Sequence, residues 1–242
     1  MKKNKINFAI LSTIDNPLLY LYLRECIKYR VRNIHVICDS KLLSDKDVTI
    51  LKFRIGNYLE TRNIYCLKKK YPFFLVDNHN SNETLKLIKK LNISCALNAG
   101  TPRKLSKKFI KFFKNGVLNI HPGLLPYYRG CTAVEWAIYN NDKVGNTIHF
   151  MDQEYDSGPI IKKQHYKFNK NMDYKSIRTS VYKKGSQLAA KTLLKMQNGL
   201  LKISSAETQD LKKARYWKPI PKNLMQEVLC KLKNKKYKYQ TI

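Results

Sequence analysis

Three side chains of the types that carry protons and polarise carbonyls stand near one short apolar run. Asn119 and His121 lie two positions apart at the end of the run 117–120, which Pro122 stops, and Asp156 follows on a later polar loop. A short apolar run between Gly and Pro is typical of a buried strand. Because side chains alternate along a strand, the amide and the imidazole can face the same small volume.

This trio suits acyl transfer to nitrogen. An imidazole carries a proton, an amide donates a hydrogen bond, and a carboxylate can accept a proton. Negative charge grows on a carbonyl oxygen when an amine attacks it, and each fixed donor at that oxygen is worth roughly 3 kcal/mol in other enzymes. An ionised Asp156 beside His121 would favour the protonated imidazole, and Asp156 or a water that it holds is the candidate proton acceptor.

The spacing alone leaves a structural role open for both histidines of this region. A histidine that follows a strand often only satisfies backbone groups of a neighbouring loop, which weakens any conclusion from Asn119 and His121 alone. His149 lies inside another apolar segment and is interpreted as a core residue or a support of the site.

Strands and helices alternate through the first half of the chain. Apolar runs predict the strands, and apolar stripes behind capping residues predict the helices. The predicted strands cover 6–11, 33–38, 73–76, 93–99 and 117–120, and the predicted helices cover 16–29, 44–57, 80–91 and 104–113. This order favours a parallel sheet with right-handed crossovers and with ligands at the carboxyl ends of its strands.

The second half is predicted to complete the sheet and add a tail. Residues 127–130 form a predicted loop, and Thr132 is the predicted cap of a helix that reaches residue 140. The remaining predicted elements are strands at 146–151 and 160–168, a long helix at 173–198 and a short helix near 224–232. We expect a catalytic domain over residues 1–205 and a C-terminal extension over 206–242, whose role the sequence does not indicate.

The loop after the first strand lacks the glycines of a dinucleotide fingerprint. Ser12 and Thr13 precede the first helix, where hydroxyls and backbone donors could hold an anion. Simple helix capping is the alternative interpretation.

The composition indicates reduced cysteine thiols and a large positive charge. The 242 residues carry a formal net charge of +30, with Lys-rich stretches at 68–70 and 231–238. Most of this charge is interpreted as solvated surface, and attraction of anionic substrates or of nucleic acid is the alternative. The six cysteines form no C-x-x-C pair, so we expect free thiols and no metal site. The N-terminal apolar stretch is too short for a signal sequence or a membrane span, and we expect a cytoplasmic protein.

Four segments around the trio resemble a known enzyme family. They are 119–130 (NIHPGLLPYYRG), 136–138 (WAI), 145–152 (GNTIHFMD) and 156–161 (DSGPII). They are similar to the N10-formyltetrahydrofolate-dependent formyltransferases, which include glycinamide ribonucleotide transformylase, methionyl-tRNA formyltransferase and sugar-nucleotide N-formyltransferases. The resemblance is specific over about 96–161. It implies an α/β, Rossmann-like formyltransferase fold, with an open, mostly parallel sheet and helices on both faces.

The resemblance implies that Asn119, His121 and Asp156 are the catalytic residues. The first two would polarise the formyl carbonyl of 10-formyltetrahydrofolate, the formyl donor. Asp156 would assist proton transfer, directly or through water. These roles agree with those inferred from the side-chain chemistry.

The resemblance also implies two sets of binding residues. Backbone groups of the loop after residue 99 would wrap the pterin, and the loop before Asp156 would close its other side. The candidate cofactor contacts are Gly100, Thr101, Arg103, Leu105 and Asp152. The candidate contacts of the acceptor substrate are Ser12, Thr13, Tyr128 and Arg129.

Departures from the family pattern bear on the acceptor. The purine enzyme is expected to carry a Gly-Ser phosphate loop where Ser12-Thr13-Ile14 stands. The common His-Pro-Ser is His-Pro-Gly at 121–123, a variant associated with sugar-modifying and unassigned members. Roughly 80 residues follow Ile161, and we expect them to leave too little room for the β-barrel domain of the tRNA enzyme.

We therefore expect a folate-dependent formyltransferase that acts on a primary amine of a small metabolite. A nucleotide-linked amino sugar is the first expected acceptor, and glycinamide ribonucleotide is the second. The acceptor is expected to be phosphorylated, nucleic acid is not an expected partner, and a homodimer stays open. A formyltetrahydrofolate hydrolase and a non-catalytic polyanion-binding protein are the alternatives, and the intact trio disfavours the latter.

Overall fold

A seven-stranded sheet runs through the centre of the structure, a computed structural model that describes residues 6–56 and 70–241. The strands are β1 (Asn7–Thr13), β2 (Ile34–Asp39), β3 (Phe73–Val76), β4 (Ile93–Asn98), β5 (Val117–His121), β6 (Arg129–Gly130), β7 (Gly145–Phe150), β8 (Ile160–His165) and β9 (Tyr216–Trp217). The sheet order is β3-β2-β1-β4-β5-β7-β8, and β6 and β9 form a separate pair. Strands β1 to β5 are parallel, whereas β7 and β8 pair in antiparallel fashion. The mostly parallel sheet confirms the prediction.

Polar capping residues set where most helices begin. The helices of the described residues are α1 (Pro17–Lys28), α2 (Asp45–Ile55), α3 (Asn82–Lys90), α4 (Lys107–Phe112), α5 (Ala133–Tyr139), α6 (Tyr174–Gln197) and α7 (Lys222–Lys233). The side chains that accept a first-turn N–H are those of Asn16, Ser44, Ser81, Ser106 and Asp173. Such caps satisfy backbone donors that the helix itself cannot.

Helices cover both faces of the sheet, as expected for this class. On one face α1 and α6 pack against Phe8 and Ile10 of β1. On the other face α3 and α4 pack against Ala9 and Leu11. Alternate residues of β1 thus enter two different cores, which explains why this central strand reads as a continuous apolar run.

The C-terminal extension overrides two local predictions. Residues 127–130, predicted as a loop, contain β6, because Arg129 and Gly130 pair with β9 of the extension. Thr132 precedes α5 but does not cap it: its φ is 48°, and its hydroxyl accepts the N–H of Ile220. Both differences result from contacts with residues distant in the sequence.

The other differences concern element ends and residues outside the described ranges. The strand predicted over 160–168 ends at His165. Asn57, at the predicted end of the second helix, lies outside the described residues, as do Cys66 and Lys68–Lys69 of the first Lys-rich stretch. Cys26, Cys95, Cys131 and Cys230 are free thiols.

The extension packs closely on the rest of the protein. Trp217, Val228, Leu232 and Tyr237 share one buried cluster with residues of α5 and α6. The boundary after residue 205 stays a prediction. Within residues 6–56 and 70–241, none of the helices has the length and hydropathy needed to cross a membrane.

Candidate active site

A cleft of about 490 Å³ opens at the carboxyl ends of β4 and β5. Its walls are the loop after β4, the loop 151–156 after β7, and one side of α2 with Tyr182 of α6. Asn119, His149 and Asp156 also line it. The cleft lies where the sequence predicted a ligand site. In the part of the chain that the structure describes, no group of three or more His, Cys, Asp or Glu side chains could hold a metal ion.

Asn119 is held by hydrogen bonds on both sides of its amide. Its Oδ1 accepts from Asn98 Nδ2 at 3.1 Å. Its Nδ2 lies 3.2 Å from Nε2 of His149, the residue directly opposite on β7. These two bonds fix the orientation of the amide. The second N–H of Nδ2 has no partner among the described residues and is available to a ligand in the cleft.

His121 is buried, and both of its ring nitrogens face oxygen atoms. Nδ1 lies 3.3 Å from Asp156 Oδ1, and Nε2 lies 2.5 Å from the carbonyl oxygen of Tyr128. Neither oxygen is a donor when Asp156 is ionised, so only the doubly protonated ring satisfies both contacts. The geometry therefore favours an imidazolium ion paired with Asp156.

The His-Pro-Gly variant has a steric cause in this structure. A Cβ atom at Gly123 would lie 2.6 Å from His121 Nε2 and 2.6 Å from the Tyr128 carbonyl oxygen. Real Cβ atoms essentially never approach so closely. Glycine at this position allows the carbonyl of Tyr128 to reach His121.

His149 has the opposite protonation state. Its Nδ1 lies 2.8 Å from the carbonyl oxygen of Phe150, so Nδ1 carries the proton and Nε2 accepts from Asn119. Burial lowers the pKa of His149 to about 4, with Asp156 opposing this shift and His121 adding to it. Asp156 Oδ1 is 3.7 Å from His149 Nε2. At neutral pH this contact is not an ion pair, because the ring is uncharged.

Asp156 is fixed through its backbone and through one of its carboxylate oxygens. Its φ is 55°, a left-handed conformation that Asp tolerates better than most residues. Its Oδ2 accepts the N–H of Gly130 at 2.9 Å. The side-chain amide of Gln209 donates to the carbonyl oxygens of Asp156 at 2.9 Å and of Gly158 at 2.7 Å. Oδ1 therefore faces the two histidines. One of the contacts that fix Asp156 comes from Gln209 of the C-terminal extension.

The five residues predicted to contact the cofactor all line the cleft. Gly100 has a φ of 90°, and a Cβ atom there would lie 2.1 Å from Asn16 Nδ2, so the position requires glycine. Asn98 Oδ1 accepts the N–H groups of Gly100 and Thr101. Since Asn98 also donates to Asn119, one side chain joins the predicted cofactor loop to the candidate catalytic amide.

Arg103 is engaged within the protein. Its Nε donates to the buried Asp39 at 2.9 Å. Burial raises the pKa of Asp39, but hydrogen bonds from Arg103 and from the N–H groups of His79 and Lys41 outweigh it and hold that pKa below its usual value. Arg103 therefore shapes the loop through its Nε contact with Asp39 and its Nη2 contact with the Asp77 carbonyl.

The structure separates Ser12 and Thr13 from the cleft. Both are fully buried, and neither lines it. Ser12 Oγ donates to the carbonyl oxygen of Ala99 at 3.0 Å, and the Thr13 hydroxyl donates to the carboxylate of Asp15. Their hydroxyls are committed to the fold, so the structure does not bring them to the cleft, and their contact with the acceptor stays a prediction.

Tyr128 and Arg129 also differ from their predicted role as acceptor contacts, since neither side chain lines the cleft. The buried Tyr128 ring lines a separate cavity, and its hydroxyl donates to Asp142 at 2.5 Å. The guanidinium of Arg129 donates to the carbonyl oxygen of Tyr155 at 2.6 Å, which fixes the loop before Asp156.

Sequence reasoning missed two residues that hold the site together, Asn98 and Gln209. Asn98 carries the same signal as Asn119, a polar residue at the end of an apolar strand, and this signal could have identified it. His149 was interpreted as a core residue or a support of the site, and the β5–β7 register gives it a supporting contact with Asn119. Gln209 has no local signal, because only the folded extension brings it to Asp156.

The family comparison decides the identity of this fold. A family model described as formyl transferase matches residues 9–193. The chain belongs to the formyl transferase family. The resemblance inferred from the sequence is thereby confirmed, and the matched residues include every residue of the cleft described above.

Individual members of the formyl transferase family resemble this chain over different fractions of their length. A methionyl-tRNA formyltransferase of Clostridium tetani is 32% identical over 126 residues, which are 52% of this chain and 39% of that protein. This chain thus spans less than half the length of that relative. Glycinamide ribonucleotide transformylase 1 from Symbiobacterium toebii superposes with a TM-score of 0.62 and 20% identity, covering 85% of this chain and 93% of that one.

A third comparison concerns a structure with ligands. The N-formyltransferase from Helicobacter canadensis, in complex with folinic acid and dTDP-3-aminofucose, superposes with a TM-score of 0.61. It is 18% identical, and the superposition covers 88% of this chain and 70% of that one. At this identity the likeness establishes the shared fold.

Proposed function

We propose that this chain transfers a formyl group from 10-formyltetrahydrofolate to a primary amine. The observation that carries the proposal is the placement of Asn119 and Asp156 on one cleft, with His121 3.3 Å from Asp156. Together they supply a donor for a carbonyl oxygen, an acceptor for a proton and a positive charge beside both. Membership of the formyl transferase family supports the same reaction.

Each residue has a distinct task in the proposed reaction. The unpaired N–H of Asn119 donates to the formyl oxygen as negative charge grows there. Asp156 accepts the proton that the attacking amine loses, directly or through water. His121 holds Asp156 Oδ1 in place and adds positive charge near the forming oxyanion. The folate supplies the formyl carbon, whose bond to N10 breaks as its bond to the amine forms, and a proton returns to N10.

The loop after β4 fits a folate heterocycle. Leu105 is almost fully buried and lines the cleft, and its N–H and C=O have no hydrogen-bond partner in the described chain. A donor and an acceptor on one buried backbone segment suit the edge of a pterin ring. The exposed carboxylate of Asp152 lies on the opposite loop. Asn98 would transmit the position of this loop to Asn119.

A nucleotide-linked amino sugar is the proposed acceptor. Beyond the candidate catalytic residues, the cleft continues along α2 and is lined by Ile50, Arg54 and Tyr182. Arg54, whose Nε lies 3.8 Å from the buried Glu135, would direct its remaining N–H groups to a phosphate, and the apolar residues suit a sugar ring. Ser12 and Thr13 offer no hydroxyl to a ribonucleotide phosphate, which makes glycinamide ribonucleotide the second choice. The likeness to methionyl-tRNA formyltransferases makes methionyl-tRNA a further acceptor to test.

The test is a reaction with 10-formyltetrahydrofolate and each of three acceptors. These are a dTDP-linked amino sugar, glycinamide ribonucleotide and methionyl-tRNA. Release of tetrahydrofolate and the mass of the formylated product are followed together. We expect product with the amino sugar, and an Asp156→Asn variant should form about 10³-fold less of it per unit time.

Two controls separate the alternatives. Asp45→Asn removes an exposed carboxylate on α2 and should leave the rate unchanged. Formate that appears without any amine would identify a hydrolase instead of a transferase. If Asp156→Asn retained wild-type turnover, the assignment of the site would be wrong.

A further inference from the structure

A second cavity lies behind the segment 127–130, on the side of the C-terminal extension. Its volume is about 580 Å³, within the range of small-molecule sites. Leu124, Tyr127, Tyr128, Trp217 and Tyr239 form much of its wall. It shares no lining residue with the catalytic cleft. The proposed formyl transfer makes no use of it.

The cationic side chains of this cavity exceed its carboxylates. Lys143, Lys213 and Arg215 line it, and Asp142 is the acidic residue among the lining side chains that the structure describes. Asp142 Oδ2 already accepts from the Tyr128 hydroxyl. Lys213 lies 3.4 Å from Asp210, whereas Lys143 and Arg215 form no ion pair within the described chain. Two cations therefore remain available to an anion.

Arg215 is presented in the manner of an anion-binding residue. The centre of its guanidinium lies 3.9 Å from the centroid of the Trp217 ring. Its backbone is bonded to Pro126 and Arg129, which fixes its position. A guanidinium stacked on an aromatic face leaves its edge of N–H groups free, and this edge matches two oxygens of one phosphate.

The aromatic walls give the cavity a surface for a ring. Trp217 stacks on Tyr128 with an interplanar angle of 8° and a centroid distance of 5.6 Å. Tyr128 and the Arg215 guanidinium cover Trp217, whereas Tyr127 beside them is 52% exposed and offers its ring to a ligand. Sugar rings and nucleobases both pack on such faces, and phosphate adds the charge that Arg215 and Lys143 require.

We infer that this cavity binds a small phosphorylated ring compound, with the phosphate on Arg215 and Lys143 and the ring against Tyr127. A nucleoside monophosphate and a sugar phosphate both present this chemistry. Binding needs neither the formyl donor nor the candidate catalytic residues. The inference therefore stands or falls separately from the proposed reaction.

Tryptophan fluorescence reports this site selectively. The chain contains two tryptophans: Trp217 lines this cavity, and the ring of Trp136 lies 4.5 Å from that of Trp217. The full-length protein is titrated with uridine 5′-monophosphate, glucose 6-phosphate, inorganic phosphate and uridine. We expect a saturable change with at least one of the first two, at lower concentration than with phosphate or uridine. The compound that binds more tightly shows whether the cavity prefers a nucleoside or a sugar.

Matched variants locate the binding. Arg215→Gln removes the stacked cation and should weaken binding of the preferred compound about tenfold or more. Lys143→Gln should weaken it less. Lys212→Gln removes an exposed neighbouring cation that does not line the cavity, and Asp152→Asn alters the catalytic cleft at an exposed residue, so both should bind as the wild type does. No saturable change up to millimolar concentrations, or equal affinity in Arg215→Gln, would overturn the inference.

Discussion

Neighbouring strands present two histidines to the same carboxylate oxygen, but in opposite chemical states. His121 at the end of β5 faces an oxygen with each nitrogen, which favours the cation. His149 on β7 receives a hydrogen bond from Asn119 and donates one to the Phe150 carbonyl, and burial holds it neutral. The pair shows that two buried rings beside one carboxylate oxygen differ in role when their hydrogen-bond partners differ. His121 is suited to charge stabilisation and His149 to holding an amide.

Replacement of the cationic histidine should have the largest effect. His121→Asn removes the positive charge beside Asp156, and we expect kcat for formyl transfer to fall about 10³-fold. The measurement is tetrahydrofolate release with saturating substrates. Thermal unfolding of the variant should stay close to that of the wild type. A decrease in kcat of less than about tenfold would show that His121 does not take part in the reaction, and His149 would become the histidine to test.

Removal of the neutral histidine should change how stability depends on pH. The pKa of His149 is lowered to about 4 in the folded protein from 6.5, so the unfolded chain binds more protons between these values. Stability from the neutral ring is complete above pH 6.5 and declines as pH falls towards 4, by up to about 3 kcal/mol.

The variant for this test is His149→Gln, which cannot be protonated. Urea unfolding of the wild type should show the decline between pH 6.5 and 4, and the variant should show a flatter curve. The same substitution at the exposed His165 serves as the control and should preserve the wild-type slope. Identical slopes for His149→Gln and the wild type would show that His149 is not held neutral.

The smallest expected effect concerns the contact between His121 and Tyr128. Gly123→Ser places a Cβ atom where the Tyr128 carbonyl and His121 Nε2 now meet. Loss of that hydrogen bond should cost roughly 1–1.5 kcal/mol, or about tenfold in kcat. In a His121→Asn background the same change should cost little more, because the contact is already gone. Additive losses would show that Gly123 acts through another part of the site.

The sequence predicted the features that depend on local periodicity. Alternation along 117–121 placed Asn119 and His121 correctly at the carboxyl end of a strand, and the order of strands and helices predicted the sheet. The predictions from sequence were incomplete where segments distant in the sequence meet. Ser12 and Thr13 carry suitable hydroxyls, but the Ala99 carbonyl and the Asp15 carboxylate engage them. The ring of Tyr128 points away from the cleft because β9 pairs with its neighbours.

The hydrogen bonds from Gln209 also determine how far this protein can be shortened. A fragment that stops at residue 205 would keep all of the residues that the family model matches. It would nevertheless lack the donor for the Asp156 and Gly158 carbonyls, and the left-handed backbone of Asp156 would lose a restraint. The tail thus supports the loop that carries Asp156, and truncated versions of the protein should retain Gln209.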